Sequence, residues 1–245
     1  QHIPTNVYKQ PKVAIVIPVY NVAPYLNECL DSILTQTYAN FTVFAVDDGS
    51  TDESGAILDE WTTKDTRFIV IRQKNGGLSA ARNAALDLIE RDGTFEYVAF
   101  VDSDDKVLPE FLALLVQNAV QTQADITACG FFKFNDEGRT KTEGVIQTAR
   151  TIDQEEFVEL IFSRLRWDKT CGAGGMVWEK LFTASSIKSI RFPSNRDVLE
   201  DEIFCLQAAL RAQIFSYLPK MLYGYRQRPN SIIRSERFAW QMFKG

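Results

Sequence analysis

The chain has 245 residues, of which 45% are hydrophobic, enough for one large α/β domain with a sizeable core. Its net charge of −5 and the absence of a long basic run argue against nucleic acid as a partner, because phosphate binding calls for a stripe of Lys and Arg. The single histidine, His2, argues against a Ser-His-Asp triad, a Cys-His pair and an H-E-x-x-H zinc site, which leaves carboxylates, Lys, Tyr or Cys for acid–base chemistry.

The four cysteines are far apart in the sequence and form no C-x-x-C pair, which favours reduced thiols in a cytoplasmic protein. No stretch approaches about 18 consecutive apolar residues, so no membrane span is expected. The start of the chain is polar and lacks the apolar region of a signal peptide. A first residue of Gln rather than Met is compatible with an excerpt of a longer protein.

The first half of the chain alternates between apolar runs and segments with helical spacing. The apolar runs predict strands at residues 13–17, 41–46, 68–71 and 97–101. Helical spacing follows at residues 25–34, 50–61, 79–91 and 109–121, and Ser50 and Glu53 have the spacing of a capping box. Four strand–helix repeats predict the α/β class, with a mostly parallel central sheet and helices on both faces.

The second half departs from this alternation. Residues 126–134 predict a strand, 135–138 a hairpin turn and 144–147 a return strand. Asp153 and Glu156 have capping-box spacing ahead of a helix that reaches about residue 165.

The remaining elements complete a single-domain prediction over residues 1–245. A helix begins at residue 200, and two strands follow at 214–218 and 221–227. The apolar face predicted for the helix consists of Ile203, Phe204, Leu206, Gln207 and Leu210. Residues 12–122 are expected to bind the ligand, residues 123–235 to extend the sheet and line the pocket, and residues 236–245 to begin a C-terminal tail.

Polar residues follow each of the four strands of the first half, where ligands bind in open α/β sheets. The clusters are Tyr20 and Asn21, Asp47 and Asp48, residues 75–77, and Asp102, Asp104 and Asp105. The last cluster is costly at the end of a buried strand, because like charges repel and burial raises the pKa of a carboxyl. A divalent cation removes both costs, and Mg²⁺ and Mn²⁺ prefer oxygen ligands. A solvated acidic turn is the alternative interpretation.

The turn after the first strand carries no phosphate-binding motif. Residues 18–21 contain neither G-x-G-x-x-G nor G-K-[ST], which argues against a dinucleotide site and a P-loop. A triphosphate-binding nucleotidyltransferase would also need a Gly-rich, basic turn here, so that enzyme class is disfavoured.

Six motifs in this order resemble those of glycosyltransferase family 2. They lie at residues 17–21, 46–52, 75–83, 100–105, 200–201 and 225–232, and the resemblance covers nearly all of residues 12–235. It implies a GT-A fold, a nucleotide-diphospho-sugar donor, a divalent metal and inversion at the anomeric carbon.

The resemblance assigns the donor site to residues at the four strand ends and at the end of the chain. The expected nucleotide-sugar-binding residues are Pro18, Tyr20, Asn21, Asp47, Asp48, Gly77, Arg82, Asp102, Ser103, Arg226 and Arg228. Pro18 and Tyr20 would frame the base, with Tyr20 as a stacking face. Asp47 is preferred to Asp48 as the acceptor of a hydrogen bond from the base, and an Asx-turn is the alternative for both.

Three arginines are expected to meet the charged part of the donor. Arg82 would contact the diphosphate or the donor sugar. Arg226 and Arg228 alternate along one strand face and would clamp the departing diphosphate. Ordinary surface charge is the alternative for all three.

The metal and the catalytic base are also assigned by the resemblance. Asp104 is expected to bind Mn²⁺ or Mg²⁺ directly, with Asp102 beside it on the donor side, whereas Asp105 is expected to be structural. Asp201 is the expected catalytic base and Glu200 the second candidate, although the helix dipole alone would explain acidic residues at this helix start.

The sequence therefore predicts an inverting, metal-dependent glycosyltransferase that uses a nucleotide-diphospho-sugar, with UDP preferred. The expected acceptor is a saccharide or lipid-linked saccharide, in polysaccharide or glycolipid assembly. A non-catalytic nucleotide-sugar-binding protein is the alternative, and a nucleotidyltransferase is the weaker one. A cytoplasmic location is expected, at the inner face of the membrane if residues 232–243 form a surface-lying helix; the same basic and aromatic residues also suit a docking helix in a homodimer.

Overall fold

The computed structural model describes residues 10–143, 149–162, 174–194 and 199–228. The strands in these ranges are β1 (Val13–Val19), β2 (Phe41–Asp47), β3 (Phe68–Arg72), β4 (Tyr97–Phe100), β5 (Lys106–Val107), β6 (Ile126–Asn135), β7 (Gly138–Glu143), β8 (Arg150–Ile152), β9 (Lys180–Thr183) and β10 (Phe215–Arg226). The helices are α1 (Ala23–Leu34), α2 (Ser54–Lys64), α3 (Leu78–Asp92), α4 (Phe111–Thr122), α5 (Gln154–Phe162) and α6 (Glu200–Ala209). No helix of these ranges is long and apolar enough to span a bilayer.

All ten strands belong to one mixed sheet in the order β3-β2-β1-β4-β9-β6-β10-β5, with β7 beside β6 and β8 beside β10. Strands β1 to β4 pair in parallel. The chain moves outward from β1 to β2 and β3, then returns to the other side of β1 for β4, so the strand order reverses beside β1. Ligands bind beyond the carboxyl ends of the strands at such a reversal.

The sheet is covered on both faces by helices. Val13, Ile15 and Ile17 of β1 pack in one hydrophobic core with helices α1, α2 and α4. Ala14 and Val16 point to the opposite core, which contains residues of α3, α5 and α6. A strand buried on both faces requires a continuous apolar run, which is what the sequence has. The predicted α/β fold class is confirmed.

The second half of the chain adds antiparallel pairs to this sheet. Strand β9 lies antiparallel between β4 and β6, whereas β6 and β10 run parallel. The hairpin predicted at 135–138 is confirmed, because β6 ends at Asn135 and β7 begins at Gly138. The predicted return strand at 144–147, the helix end near residue 165 and the segment 232–243 lie outside the described residues.

The capping box predicted at Ser50 and Glu53 is wrong. Helix α2 begins later, at Ser54, and the side chain of Glu53 makes no capping hydrogen bond. Ser50 instead belongs to the turn after β2, where its N–H donates to Oδ1 of Asp47 over 2.9 Å. The capping role predicted for Asp153 is confirmed, since its Oδ1 accepts a hydrogen bond from the Glu156 N–H over 3.0 Å.

The two strands predicted at 214–218 and 221–227 form the single strand β10. Its register against β6 shifts between Leu218 and Met221 and again before Tyr223. Pro219 has no N–H to donate to the ladder, so an irregular segment at this position lets the strand continue past it. The last part of this strand meets the turn after β4, where Tyr223 and Arg226 both donate hydrogen bonds to Asp105.

Candidate active site

The carboxyl ends of β1, β2 and β3 lie side by side at one edge of the sheet. Val19 is paired with Asp47, and Asp47 is paired with Arg72. Pro18 is a buried part of β1, while Tyr20 just beyond the strand is 51% exposed. A large aromatic ring left open at a ligand-binding edge is the arrangement that a stacked base requires.

Asn21 joins the first turn to the second. Its backbone has a φ of 49°, a left-handed conformation that Asn tolerates better than most residues. Its Oδ1 accepts a hydrogen bond from the N–H of Thr51 over 2.8 Å, and its own N–H donates to Oγ of Ser50 over 3.2 Å. Asn21 therefore has a role within the protein, fixing the shape of the edge beneath Tyr20.

The two carboxylates of the second turn have different partners. Both oxygens of Asp48 accept backbone hydrogen bonds, from Gly76 over 2.9 Å and Gly77 over 2.8 Å, and Gln73 donates to it as well. Gly77 has a φ of 88°, a conformation that favours glycine. Asp48 thus holds the loop between β3 and α3. Asp47 accepts fewer bonds, and the base contact predicted for it stays a prediction.

The acidic turn after β4 divides its carboxylates in the same way. Asp105 is buried, with Oδ2 accepting from the Tyr223 hydroxyl and Oδ1 from the Arg226 N–H, each over 2.7 Å. Burial, reinforced by Asp104 and Asp102, raises the pKa of the Asp105 carboxyl well above its ordinary value. The N–H of Asp102 donates to the same Tyr223 oxygen over 3.1 Å. Asp105 therefore anchors the turn to β10.

Arg82 of helix α3 lies under this turn with only 1% of its side chain exposed. Its guanidinium is 2.9 Å from Oδ1 of Asp102, 2.5 Å from Oδ1 of Asp201 and 3.8 Å from Oε1 of Glu200. Burial alone would lower its pKa, but these three carboxylates hold that pKa above its ordinary value. The structure thus places Arg82 between carboxylates of the two halves, rather than on an open surface facing a donor.

Burial raises the pKa of two of these carboxyls. Desolvation raises the pKa of Asp102 to about 6, against the opposing attraction of Arg82. Desolvation, followed by repulsion from Asp201, raises the pKa of Glu200 to about 7. About a quarter of the Asp102 side-chain surface is exposed, so a ligand can reach this carboxylate from one side.

Asp201 is held at the start of helix α6 by groups from two other segments. Arg82 binds its Oδ1, and the N–H of Val177 donates to its Oδ2 over 3.2 Å. Phe204, one turn further along α6, stacks on Phe192 with ring centroids 4.1 Å apart and meets Phe100 edge to face. Such aromatic pairs each contribute about 0.5–1.5 kcal/mol of stabilising free energy beyond that of their buried area. These contacts hold the helix that carries Asp201 in place against its neighbours.

Arg226 and Arg228 both face the acidic turn. Arg226 donates to the backbone oxygen of Asp104 over 2.7 Å and also pairs with Glu28 and Asp136. Nε of Arg228 is 2.5 Å from Oδ2 of Asp104. Neither arginine is an ordinary surface charge, although their predicted contact with a diphosphate stays a prediction.

Several residues of the site were not singled out from the sequence. Glu28, Tyr223 and Val177 each bind a predicted residue through a contact between distant segments. Tyr223 stood in an apolar strand pattern and Glu28 on a helix, where nothing distinguishes them from ordinary residues. Two residues that the sequence did single out are buried. Ser103, expected at the donor site, lies within the acidic turn, and Trp178, a candidate for the acceptor pocket, lies between the rings of Tyr223 and other aromatic residues.

Asp104 and Asp102 supply the oxygen ligands that a hard divalent cation prefers. The described ranges contain no group of three or more His, Cys, Asp and Glu side chains arranged to hold a metal ion by themselves. Mg²⁺ in enzymes of phosphate chemistry is commonly bound by one or two carboxylates together with substrate oxygens and water. Two neighbouring carboxylates therefore fit Mg²⁺ or Mn²⁺ provided that a diphosphate completes the coordination.

Comparison with known proteins places this geometry in a family. The family profile described as Glycosyl transferase family 2 matches residues 14–177. The uncharacterized glycosyltransferase EpsJ of Bacillus subtilis (strain 168) is 35% identical over 228 residues, which are 91% of this chain and 63% of EpsJ. The chain thus spans less than two thirds of that relative.

Two solved structures share the fold. S. aureus TarS 1–349 in complex with UDP-GlcNAc superposes with a TM-score of 0.73 at 25% identity, covering 91% of this chain and 61% of that one. The mannosyltransferase PcManGT of Pyrobaculum calidifontis, in complex with GDP-Man and Mn²⁺, gives a TM-score of 0.64 at 19% identity, with coverages of 95% and 60%.

Proposed function

The chain belongs to glycosyltransferase family 2, and from that premise we propose that it transfers a sugar from a UDP-sugar to an acceptor hydroxyl, with inversion at the anomeric carbon. One observation carries the proposal. Arg82 joins Asp102, at the end of β4, to Asp201, at the start of α6, so that one carboxylate from each half of the chain meets the same buried guanidinium.

The donor side is built from the ends of β1, β2 and β4. The exposed ring of Tyr20 offers a stacking surface for the base, and Asp47 lies beside it to accept a hydrogen bond from the base edge. The solved relative TarS holds UDP-GlcNAc, which supports a uridine donor, whereas PcManGT holds GDP-Man. We place the diphosphate near Asp104, within reach of the arginines at 226 and 228.

Asp104 and Asp102 would hold a divalent cation between the protein and the diphosphate. When bound, such an ion stabilises the negative charge that develops on the leaving diphosphate. Arg228 supplies a second positive charge at the same place, and its planar guanidinium suits phosphate oxygens. Mn²⁺ in the PcManGT complex supports this assignment by analogy alone.

Asp201 acts as the general base in this proposal. Arg82 and the Val177 N–H each engage one of its oxygens, and each oxygen keeps lone-pair capacity to accept the proton of an acceptor hydroxyl. As that proton leaves, the acceptor oxygen bonds to the anomeric carbon on the side opposite the diphosphate. The bond from the carbon to the diphosphate oxygen breaks, and UDP departs with the electron pair.

Glu200 is the second candidate for the base. Its pKa of about 7, raised by burial, suits a group that must accept a proton near neutral pH. Asp201 is preferred because two separate segments fix its orientation, and a general base depends first on geometry. The Asp201→Asn and Glu200→Gln variants separate the two, since only the true base should lose transfer while keeping UDP affinity.

The acceptor is proposed to be a saccharide or a lipid-linked saccharide, in polysaccharide or glycolipid assembly. Trp178 is buried and stacks on Tyr225 with the ring planes 4° apart, so in this proposal it supports the acceptor side from within the protein rather than contacting the sugar. Contact with a membrane surface or with a second copy of the chain remains a proposal for the segment 232–243.

Titration calorimetry with UDP, with and without Mn²⁺, followed by a hydrolysis screen of nucleotide sugars, tests the proposal. We expect Mn²⁺-dependent UDP binding and release of UDP from at least one UDP-sugar. Binding without any turnover, in the presence of candidate acceptors, would favour the non-catalytic alternative. Turnover of a nucleoside triphosphate with a sugar phosphate would favour a nucleotidyltransferase. Full transfer by both Asp201→Asn and Glu200→Gln would refute the assignment of the base.

A further inference from the structure

A buried lysine lies behind the proposed base. The side chain of Lys180, at the start of β9, is 0% exposed. Its ammonium donates to the backbone oxygen of Gly174 over 2.7 Å, to that of Met176 over 2.6 Å, and to Oε1 of Glu179 over 2.9 Å. All three ammonium protons are therefore used, and two of them bind one short turn, residues 174–177.

The other side of this turn contacts the helix that carries Asp201. The N–H of Val177 is the group that binds Oδ2 of Asp201. The packing leaves no room for a larger residue at Gly175, because a Cβ there would lie 2.0 Å from Cγ of Glu202. The turn is thus confined between the Lys180 ammonium and the first turn of α6.

Stability alone is a weak reason for this arrangement. Removing two charges from water costs several kcal/mol per ion, and apolar replacements of buried pairs are often neutral or stabilising. Within the described residues Oε2 of Glu179 has no hydrogen-bond partner, so the pair is not even fully satisfied. Burial raises the pKa of Glu179 to about 7. Lys180 does fix the positions of two carbonyl groups, those of Gly174 and Met176, in the turn that ends at Val177.

We propose that Lys180 is a positioning residue for the catalytic base. It holds the turn so that the Val177 N–H faces Asp201, and this hydrogen bond together with Arg82 sets the orientation of the carboxylate toward the acceptor. The inference rests on the proposed function. It adds to that function a buried residue that touches neither the donor nor the acceptor.

Two variants disturb the turn in independent ways. Glu179→Gln combined with Lys180→Met removes the ammonium without leaving an unpaired buried carboxylate. Gly175→Ala keeps the ion pair and displaces the turn by steric contact with Glu202. The matched control is Glu90→Gln combined with Arg191→Met. It removes an ion pair between α3 and the segment after β9, and neither residue binds the turn or Asp201.

The assay compares a nucleophile that needs a base with one that does not. Wild-type protein and variants receive Mn²⁺ and the UDP-sugar that the wild-type protein hydrolyses fastest in the screen, and attack by water is measured beside attack by azide. Azide nitrogen bonds to the anomeric carbon as the bond to the diphosphate oxygen breaks, UDP leaves with the electron pair, and no proton has to be removed. Rates are expressed per UDP-binding site counted by calorimetry, so that misfolded protein does not contribute.

We expect both turn variants to lose hydrolysis by about 10-fold or more, because a misplacement of about 1 Å is enough for such a loss. Their azide rates should stay within about 2-fold of wild type, so the azide-to-water ratio should rise, as we also expect for Asp201→Asn. Equal loss of both rates, or no loss of either, would overturn the role of Lys180 while leaving the proposed function intact. No release of UDP by the wild-type protein from any UDP-sugar would instead overturn the proposed function, and this inference with it.

Discussion

Replacement of Arg82 by Met is the most direct test of the connection between the two halves of the site. Met keeps much of the length of the side chain and removes its charge. In the wild-type protein the guanidinium lies between Asp102 and Asp201, with Glu200 next to them. The variant leaves three partly buried carboxylates facing one another without a cation.

The size of the effect follows from these distances. At an effective dielectric of about 20, a pair of unit charges about 4 Å apart is worth roughly 4 kcal/mol. The carboxylates of Asp102 and Asp201 are 26% and 17% exposed, so solvent screening lowers each pair below that value. Measured losses on removing one partner of a buried pair are about 3–5 kcal/mol, and we expect Arg82→Met to lose about 3 kcal/mol of unfolding free energy at neutral pH.

The loss should depend on pH with a definite sign. The pKa values of Asp102 and Glu200 are already raised, to about 6 and about 7, and removing the cation raises them further. A carboxyl whose pKa is higher in the folded state contributes stability below its unfolded pKa and loses it as pH rises. The difference between wild type and variant should therefore widen from pH 5 to pH 8.

Urea unfolding at pH 5, 6.5 and 8 measures both quantities. Arg191→Met is the control, because that arginine is 31% exposed and exposed pairs contribute only about 0–1 kcal/mol. The Arg82→Met variant should also lose transfer while its folded fraction still binds UDP. A loss below about 1 kcal/mol, or a loss that stays constant across this pH range, would show that the carboxylates do not depend on Arg82.

Three further predictions address single residues of the donor side. Asp104→Ala should remove the Mn²⁺ dependence of UDP binding in calorimetry, whereas an unchanged dependence would place the metal elsewhere. Tyr20→Ala should weaken UDP binding by about 10-fold or more, since base stacking is worth about 1–3 kcal/mol, and Tyr20→Phe should bind as wild type does. Asp48→Ala leaves two backbone N–H groups without their acceptor and should lose about 2 kcal/mol or more in urea unfolding, while Asp47→Ala should mainly weaken UDP binding; the reverse pattern would exchange their roles.

Those parts of the fold that repeat along the chain were predictable from the sequence. Continuous apolar runs such as 13–17 indicate strands covered on both faces, and polar residues directly after them mark the edge at which parallel strands end. The hairpin at 135–138 was predictable for the same reason, because its signal is local. By contrast, β10 was predicted as two strands, since Pro219 signals a break and the continued pairing with β6 is not visible locally.

Residue packing in helix α6 shows where periodicity fails. Phe204 and Leu210 were both expected on its apolar face, and Phe204 is buried, whereas Leu210, just beyond the end of the helix, is 62% exposed. The buried residues are Phe204, Cys205, Ala208 and Ala209. Ala209 lies against the start of α5, where its backbone oxygen accepts a hydrogen bond from the Gln154 side chain over 2.9 Å. A contact between segments 55 residues apart is not visible in the periodicity of α6.

The partners of the site carboxylates were not predictable, because they come from distant segments. Arg82 is 119 residues away from Asp201 in the sequence, and Tyr223 is 118 residues away from Asp105. A pattern in one stretch of sequence contains no information about contacts at such separations. The residue types were identified correctly as chemically unusual, but their pairing required the structure.

This pairing changes the argument about the acidic turn after β4. From the sequence, a divalent cation was the simplest way to offset the repulsion among Asp102, Asp104 and Asp105. In the structure each of these carboxylates has a different partner from the protein: Arg82 for Asp102, Arg228 for Asp104, and the Tyr223 hydroxyl for Asp105. Each carboxylate of the cluster therefore has a partner within the protein, so the cluster by itself is not evidence for a metal.

The protein partners of these three carboxylates differ in how easily they can be displaced. This difference favours Asp104 as the ligand of the proposed metal. Arg82 is 1% exposed within a helix, and Tyr223 is wholly buried within β10, so neither can leave without disturbing the fold. Arg228 lies beyond the end of β10 and is 30% exposed. Asp104 is thus the one carboxylate of this turn whose partner the proposed cation could replace at low cost, and Arg228, once displaced, would lie close to the diphosphate of the proposed donor.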